Sequence, residues 1–178
     1  MRPLVVAATA AEAAHVPRGL RLVVTGLGKT AAAVGTTRAI LEERPSAVVN
    51  IGSAGALRDG LTGLFEVGTV VNHDMNGDAV RALGYDPQER LVVGPAETVL
   101  ASGDVFVTDP AVRSRLASAA HLVDMEGYAV AFAARHLGVP VTLVKHVSDN
   151  ADESALDWVD VVAVSAEALG EWLAAQRW

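Results

Sequence analysis

The chain contains no cysteine. That excludes disulfides and thiolate metal sites, and it fits a cytoplasmic setting. Aromatic residues make up only 4% of the 178 positions, so a core has to be assembled from Ala, Val and Leu. No apolar run approaches the roughly 18–20 residues that cross a bilayer. The N-terminus lacks a charged region followed by a long apolar stretch and a cleavage site, so no signal peptide and no membrane partner are expected. Basic clusters are also missing and the net charge is −7. A face that neutralises phosphates needs the opposite sign, so no nucleic-acid partner is expected. The histidines at His15, His73, His121, His136 and His146 show no metal-ligand spacing, such as a pair four apart on one helix. No nucleophile elbow is present. The expectation is therefore no metal, no cofactor and a small-molecule ligand.

What the chain does have is an alternation of apolar strands and helical stretches, and its length suits one domain over residues 1–178. Strands are predicted at Leu4–Ala8, Leu20–Thr25, Ala47–Ile51, Val67–Asn72, Arg90–Val93, Val99–Ser102, His121–Asp124 and Val141–Val147. Helices are predicted over Gly28–Glu43, from Asp109-Pro110 to about Ala119, over Glu126–Leu137 and over Asp157–Gln176. Pro45 lies beyond the first helix and Gly138 closes the third. Asp109 suits an N-cap and Pro110 the first helical position. The polar, turn-rich stretch from His73 to Glu89 reads as a loop or flap. Strand–helix alternation at both ends with a strand-rich middle predicts a three-layer α/β/α sandwich around a mixed β-sheet.

Two acidic motifs stand at predicted strand ends, Val123-Asp124-Met125-Glu126 and Ser148-Asp149. Open α/β sheets present ligand-binding groups there. Taken singly, Glu126 reads as a first-turn acid favoured by the helix dipole, and Asp149 as an Asx-turn or cap. Their joint occurrence favours acid–base or hydroxyl-binding chemistry. Gly52-Ser53-Ala54-Gly55 follows a strand and reads equally as a tight turn or as backbone brought close to a ligand. Gly26-Leu27-Gly28-Lys29-Thr30 resembles the end of a phosphate-binding loop, but Val23 stands where that motif needs its first glycine, so a plain strand-to-helix turn is preferred. Glu12, among alanines, reads by itself as a solvated surface acid.

Taken in order, six segments resemble the purine nucleoside phosphorylase/nucleosidase superfamily, and within it the 5′-methylthioadenosine/S-adenosylhomocysteine nucleosidases. They are Val5–Glu12, Val24-Thr25-Gly26-Leu27-Gly28-Lys29, Val49–Gly55, Ser102-Gly103-Asp104-Val105-Phe106-Val107, Val123–Glu126 and Ser148-Asp149-Asn150-Ala151-Asp152. The resemblance implies a nucleoside phosphorylase-like fold and a homodimer acting on a purine nucleoside. It implies that Asp149 protonates N7 of the base, that Glu126 accepts hydrogen bonds from the ribose hydroxyls and that Glu12 activates the attacking water. Phe106 would stack on the base, and the Val107 backbone would hydrogen-bond it. Ser148 would position Asp149, Met125 would line the ribose, and Trp158 would lie near the base. Ser53, Ala54 and Gly55 would line the catalytic face.

Bacterial hexameric phosphorylases carry a phosphate-binding arginine where this chain has Asn50, so the resemblance implies water as the nucleophile. Phosphorolysis, a futalosine-type hydrolysis and a non-catalytic nucleoside-binding role are the alternatives. The chain departs from the family in being clipped between Ala13 and Gly19 and from about Asn76 to Leu100. Val80 and Leu83 would stand in for the part of that region which closes the 5′ end of the substrate. Lys145-His146 replaces a more usual arginine and small residue.

Overall fold

A computed structural model describes residues 3–153, 155 and 158–178. The elements run β1 (Leu4–Ala7), β2 (Arg21–Val24), α1 (Lys29–Glu43), β3 (Val48–Ala56), β4 (Leu64–Glu66), β5 (Thr69–Asn72), α2 (Gly77–Ala82), β6 (Arg90–Val92), β7 (Val99–Ser102), α3 (Pro110–Ala117), β8 (Leu122–Asp124), α4 (Gly127–His136), β9 (Val141–Asp149) and α5 (Trp158–Ala175). The expected first residue of the last helix, Asp157, lies outside the described residues.

Short apolar strands become a three-layer sandwich because their side chains alternate between two faces and both faces are apolar. Leu4 and Val6 of β1 pack with Ala32, Ile40 and Val130 of α1 and α4. Val5 and Ala7 pack with Leu169 and Leu173 of α5. In β7 and β8, Leu100 and Leu122 turn toward Tyr128 and Ala131 of α4. Ala101 and Val123 turn toward Val112 and Leu116 of α3. Helices α1 and α4 thus cover one face, and α3 and α5 cover the other.

The nine-stranded sheet contains two parallel blocks, with β6 antiparallel beside β5 and β4 antiparallel beside β9. In the first, β2, β1, β3 and β9 run parallel. In the second, β5, β7 and β8 run parallel. The blocks meet through the antiparallel pairs Gly55↔Val123 and Ala56↔Leu122 of β3 and β8. They face each other head to head, so the carboxyl ends of β1 and β9 converge with those of β7 and β8. That junction is where a sheet of this type opens a ligand crevice.

Three local expectations change. The Gly52–Gly55 segment is no turn: β3 continues through it to Ala56. Its glycines serve close approach instead. A Cβ on Gly52 would lie 3.2 Å from both Glu12 Oε1 and Lys145 Nζ, and one on Gly55 would lie 2.9 Å from Asp149 Oδ1. The loop expected from His73 to Glu89 contains α2, capped by Asn76, which accepts from the Ala79 amide. Arg81 of that helix pairs with Asp78 and Glu89. Strand β4 was not foreseen. It is three residues long, and only its antiparallel pairing with β9 makes it a strand.

Candidate active site

At the head-to-head junction lies a cavity of about 320 Å³, within the range of small-molecule pockets. The eleven residues to which the resemblance assigns catalysis or contact with base and ribose line it: Glu12, Ser53, Ala54, Gly55, Phe106, Val107, Met125, Glu126, Ser148, Asp149 and Trp158. Leu27, Val105, Val123, Asp124 and Ala155 are the other described residues of the wall. Neither Val80 nor Leu83 takes part, and Leu83 is exposed.

Glu12 is not a surface acid. It is 5% exposed. Along the edge of β3 opposite β9, β1 pairs with Val48–Asn50 and β8 with Gly55 and Ala56. Between those contacts the Ser53 amide donates to Glu12 Oε1 at 2.9 Å, as does the Ser53 hydroxyl. The other carboxylate oxygen accepts from the Thr9 amide at 3.2 Å and from its hydroxyl at 3.0 Å. Trp158, at the first turn of α5, donates its indole N–H to the Ser53 hydroxyl at 2.7 Å. A buried carboxylate held by four donors has a defined orientation.

Glu126 is the N-cap residue of α4 and is buried, its Oε1 accepting from the Gly28 amide at 2.7 Å. The turn before α1, read as an ordinary strand-to-helix connection, therefore directs a free helix amide at the site. Burial, the neighbouring Asp124 carboxylate and more weakly Glu12 push Glu126 up to about 7, against the opposing pull of the Gly28 amide and Lys145.

Asp149 ends β9. Its Oδ2 accepts from the Ser148 hydroxyl at 2.7 Å, and its Oδ1 accepts from the Ala151 amide at 2.8 Å. Ala151 has a left-handed φ of 52°, which turns its amide back onto the strand end.

Beneath the carboxylates lies an ion pair that residue types alone did not reveal. Asp124 Oδ2 and Lys145 Nζ are 2.9 Å apart, and both side chains are 2% exposed. Asp124 also accepts from the Gly127 amide at 2.9 Å and from the Ser102 hydroxyl, which in turn accepts from the Tyr128 amide at 2.9 Å. The first amides of α4 are thus satisfied by Asp124 and Ser102. Burial disfavours the Lys145 charge, but the carboxylates of Asp124, Glu126 and Glu12 outweigh it and its pKa is raised. His146, the next residue, faces the opposite side of the sheet, with Nδ1 2.9 Å from the Ser165 hydroxyl of α5.

Asn50 is buried. Its Nδ2 donates to the Val6 carbonyl at 3.1 Å, and it does not line the cavity. No lysine or arginine lies among the described lining residues. No cluster of metal-ligating side chains occurs among the described residues, and no helix among them is long and apolar enough to cross a membrane.

Residues 18–175 match the family model of the phosphorylase superfamily. A 5′-methylthioadenosine/S-adenosylhomocysteine nucleosidase of Shewanella oneidensis is 31% identical over 184 aligned positions, covering 83% of this chain and 75% of the relative. Among solved structures, the Helicobacter pylori 5′-methylthioadenosine/S-adenosylhomocysteine nucleosidase superposes with a TM-score of 0.86 at 24% identity, covering 98% of this chain and 97% of that one. The futalosine hydrolase of the same organism superposes at 0.84 with 25% identity, covering 98% and 96%. The mixed sheet between two helical layers is shared with these structures.

Proposed function

The chain belongs to the phosphorylase superfamily, and from that premise we propose that it is a purine nucleosidase, hydrolysing the N-glycosidic bond of an adenine nucleoside such as 5′-methylthioadenosine or S-adenosylhomocysteine. The observation that carries the reading is the convergence of Glu12, Glu126 and Asp149, from three separate segments, on one cavity.

Cleaving the C1′–N9 bond leaves positive charge on the sugar and negative charge on the base. Asp149, entering as the acid, gives its proton to N7, and the bond electrons leave with the neutral base. Glu126 accepts hydrogen bonds from the ribose 2′- and 3′-hydroxyls and, as an anion, favours the cationic sugar. Glu12 takes a proton from a water as that water attacks C1′. Phe106 stacks on the base, the Val107 backbone hydrogen-bonds it, and Trp158 stands nearby. Ser148 orients Asp149. Met125 lies against the ribose, with Ser53, Ala54 and Gly55 lining the catalytic face.

Water is favoured over phosphate because no lysine or arginine lies among the described lining residues, and Asn50 spends its amide on the Val6 carbonyl. A phosphate ion would find no cationic side-chain anchor among the described lining residues.

A homodimer completes the proposal. Leu27 before α1, and Val34 and Leu41 on it, recur every seventh residue and are 65%, 65% and 61% exposed. The stripe runs up to the cavity mouth, where Val105 and Phe106 are also exposed. A second copy laid on it buries the stripe and narrows the mouth. Sedimentation of wild type against Val34→Glu/Leu41→Glu checks this, and a wild-type monomer refutes it.

The decisive experiment is a nucleoside panel assayed for free base with and without phosphate. Adenine release from 5′-methylthioadenosine in phosphate-free buffer is expected, with free ribose product. Release only with phosphate, yielding a sugar 1-phosphate, makes the chain a phosphorylase. Tight nucleoside binding without release makes it a binding protein.

A further inference from the structure

We propose that Asp104 is a positioning residue for the purine, tying the loop that carries Phe106 and Val107 to the same helix terminus that holds Glu126. The proposal rests on the nucleosidase reading for the roles of those residues.

Asp104 follows β7 and precedes Phe106 by two positions. Its Oδ1 accepts from the Lys29 amide at 2.7 Å. The preceding amide, that of Gly28, donates to Glu126 Oε1, also at 2.7 Å. Two consecutive N–H groups at the start of α1 are therefore divided between the carboxylate assigned to the sugar and the loop assigned to the base. Free amides at a helix terminus are fixed by the helix behind them, so the span between their two acceptors is fixed as well.

The Asp104 backbone is held on its other side. Its amide donates to Asp74 Oδ2 at 2.8 Å. The Lys29 ammonium bonds Asp74 Oδ1, and it reaches Asn72 Oδ1 at 2.7 Å. Three connections, those after β2, β5 and β7, are thereby clasped around one lysine. Gly28 is required at this junction: its φ is +88°, and a Cβ there would lie 3.1 Å from Asp104 Oδ1. Asp104 itself is half exposed and does not line the cavity, so it acts through the loop and not on the ligand.

The test measures adenine binding by calorimetry, and 5′-methylthioadenosine kinetics, for wild type, Asp104→Ala, Asp104→Asn and Asp104→Ser. Asp104→Ala is expected to weaken adenine binding and raise KM by about tenfold, with kcat changed by less than about threefold. Asp104→Asn keeps an oxygen acceptor for the Lys29 amide and should restore most of the adenine affinity. Unchanged adenine affinity in Asp104→Ala overturns the proposal. So does a fall in kcat with KM and adenine affinity intact. Should thermal melts show Asp104→Ala unfolded, Asp104→Ser, whose hydroxyl falls one bond short of the Lys29 amide, is judged by the same criteria. A wild type that neither binds adenine nor releases it refutes the nucleosidase reading along with this inference. A wild type that does both beside an unaltered variant refutes this inference alone.

Discussion

Glu12 Oε1 lies 2.9 Å from both the amide nitrogen and the hydroxyl oxygen of Ser53, so one residue supplies two of the donors that aim this carboxylate. Trp158 donates to the same hydroxyl, which leaves the Ser53 proton free to point at Glu12. As the group assigned to water activation, Glu12 depends on this arrangement. Glu12→Gln should lower kcat for nucleoside hydrolysis by about 10²–10⁴-fold. Ser53→Ala, which keeps the backbone donor and the carboxylate, should cost about tenfold. Steady-state kinetics with 5′-methylthioadenosine decide it, and a Glu12→Gln variant of normal kcat removes Glu12 from the mechanism.

Asp149→Asn retains the shape of the side chain and the Ala151 contact but has no proton to give N7. Purine release should fall by about 10²–10⁴-fold while adenine still binds. Single-turnover assays paired with adenine titrations separate the two effects. A variant within a few-fold of wild type would place the acid elsewhere.

Glu126, raised to about 7 from an ordinary 4.5, should produce an acid limb in kcat/KM. Ribose hydroxyls donate to the ionised carboxylate, so activity should fall as pH drops through about 7, and Glu126→Gln should abolish that limb along with most of the activity. Folding stability moves in the opposite sense. The folded chain holds this proton more tightly than the unfolded one. The resulting stabilisation is complete below about 4.5 and is lost as pH rises to about 7. Urea melts at several pH values should show the stability of wild type relative to Glu126→Gln declining across that window, because His73, His121 and His146, lowered by burial, contribute equally to both. A difference between the two that stays constant there contradicts the assignment.

Lys145→Met leaves Asp124 buried without its counter-ion and should cost about 3–5 kcal/mol of stability, measured by chemical denaturation. The loss of positive charge beside Glu126 should also displace the acid limb to higher pH in whatever fraction folds. Lys145→Arg tests the charge apart from its shape. A stable Lys145→Met with an unmoved profile would show that the pair does not tune the carboxylates.

Much of the fold is legible in the sequence because its signals are local. The unbroken apolar run Leu4–Ala7 announces a strand covered on both faces, and Asp109-Pro110 announces a helix start whose cap bonds the structure contains. What escapes detection lacks a local signal. Strand β4 is a strand only because β9 passes beside it. The six residues of α2 show no period and follow turn residues. Gly52 and Gly55 look like turn glycines, since nothing in the sequence reveals what approaches them; in the fold it is Glu12, Lys145 and Asp149.

Residue order carries the available acids, the strand-and-helix alternation that bears them, and a resemblance specific enough to mark eleven residues. Composition alone excluded disulfides and a basic nucleic-acid face. The fold alone buries Glu12 away from solvent, spends Lys145 on Asp124 and divides the amides of the turn before α1 between Glu126 and Asp104. The reason is physical. Secondary structure follows from side-chain periodicity over a few residues, whereas the ionisation and aim of a carboxylate follow from neighbours brought in from distant strands. Two parallel blocks meeting head to head bring Ser53 to Glu12, Gly28 to Glu126 and Lys145 to Asp124, and the local neighbours Thr9, Ser148 and Ala151 complete the aim of Glu12 and Asp149.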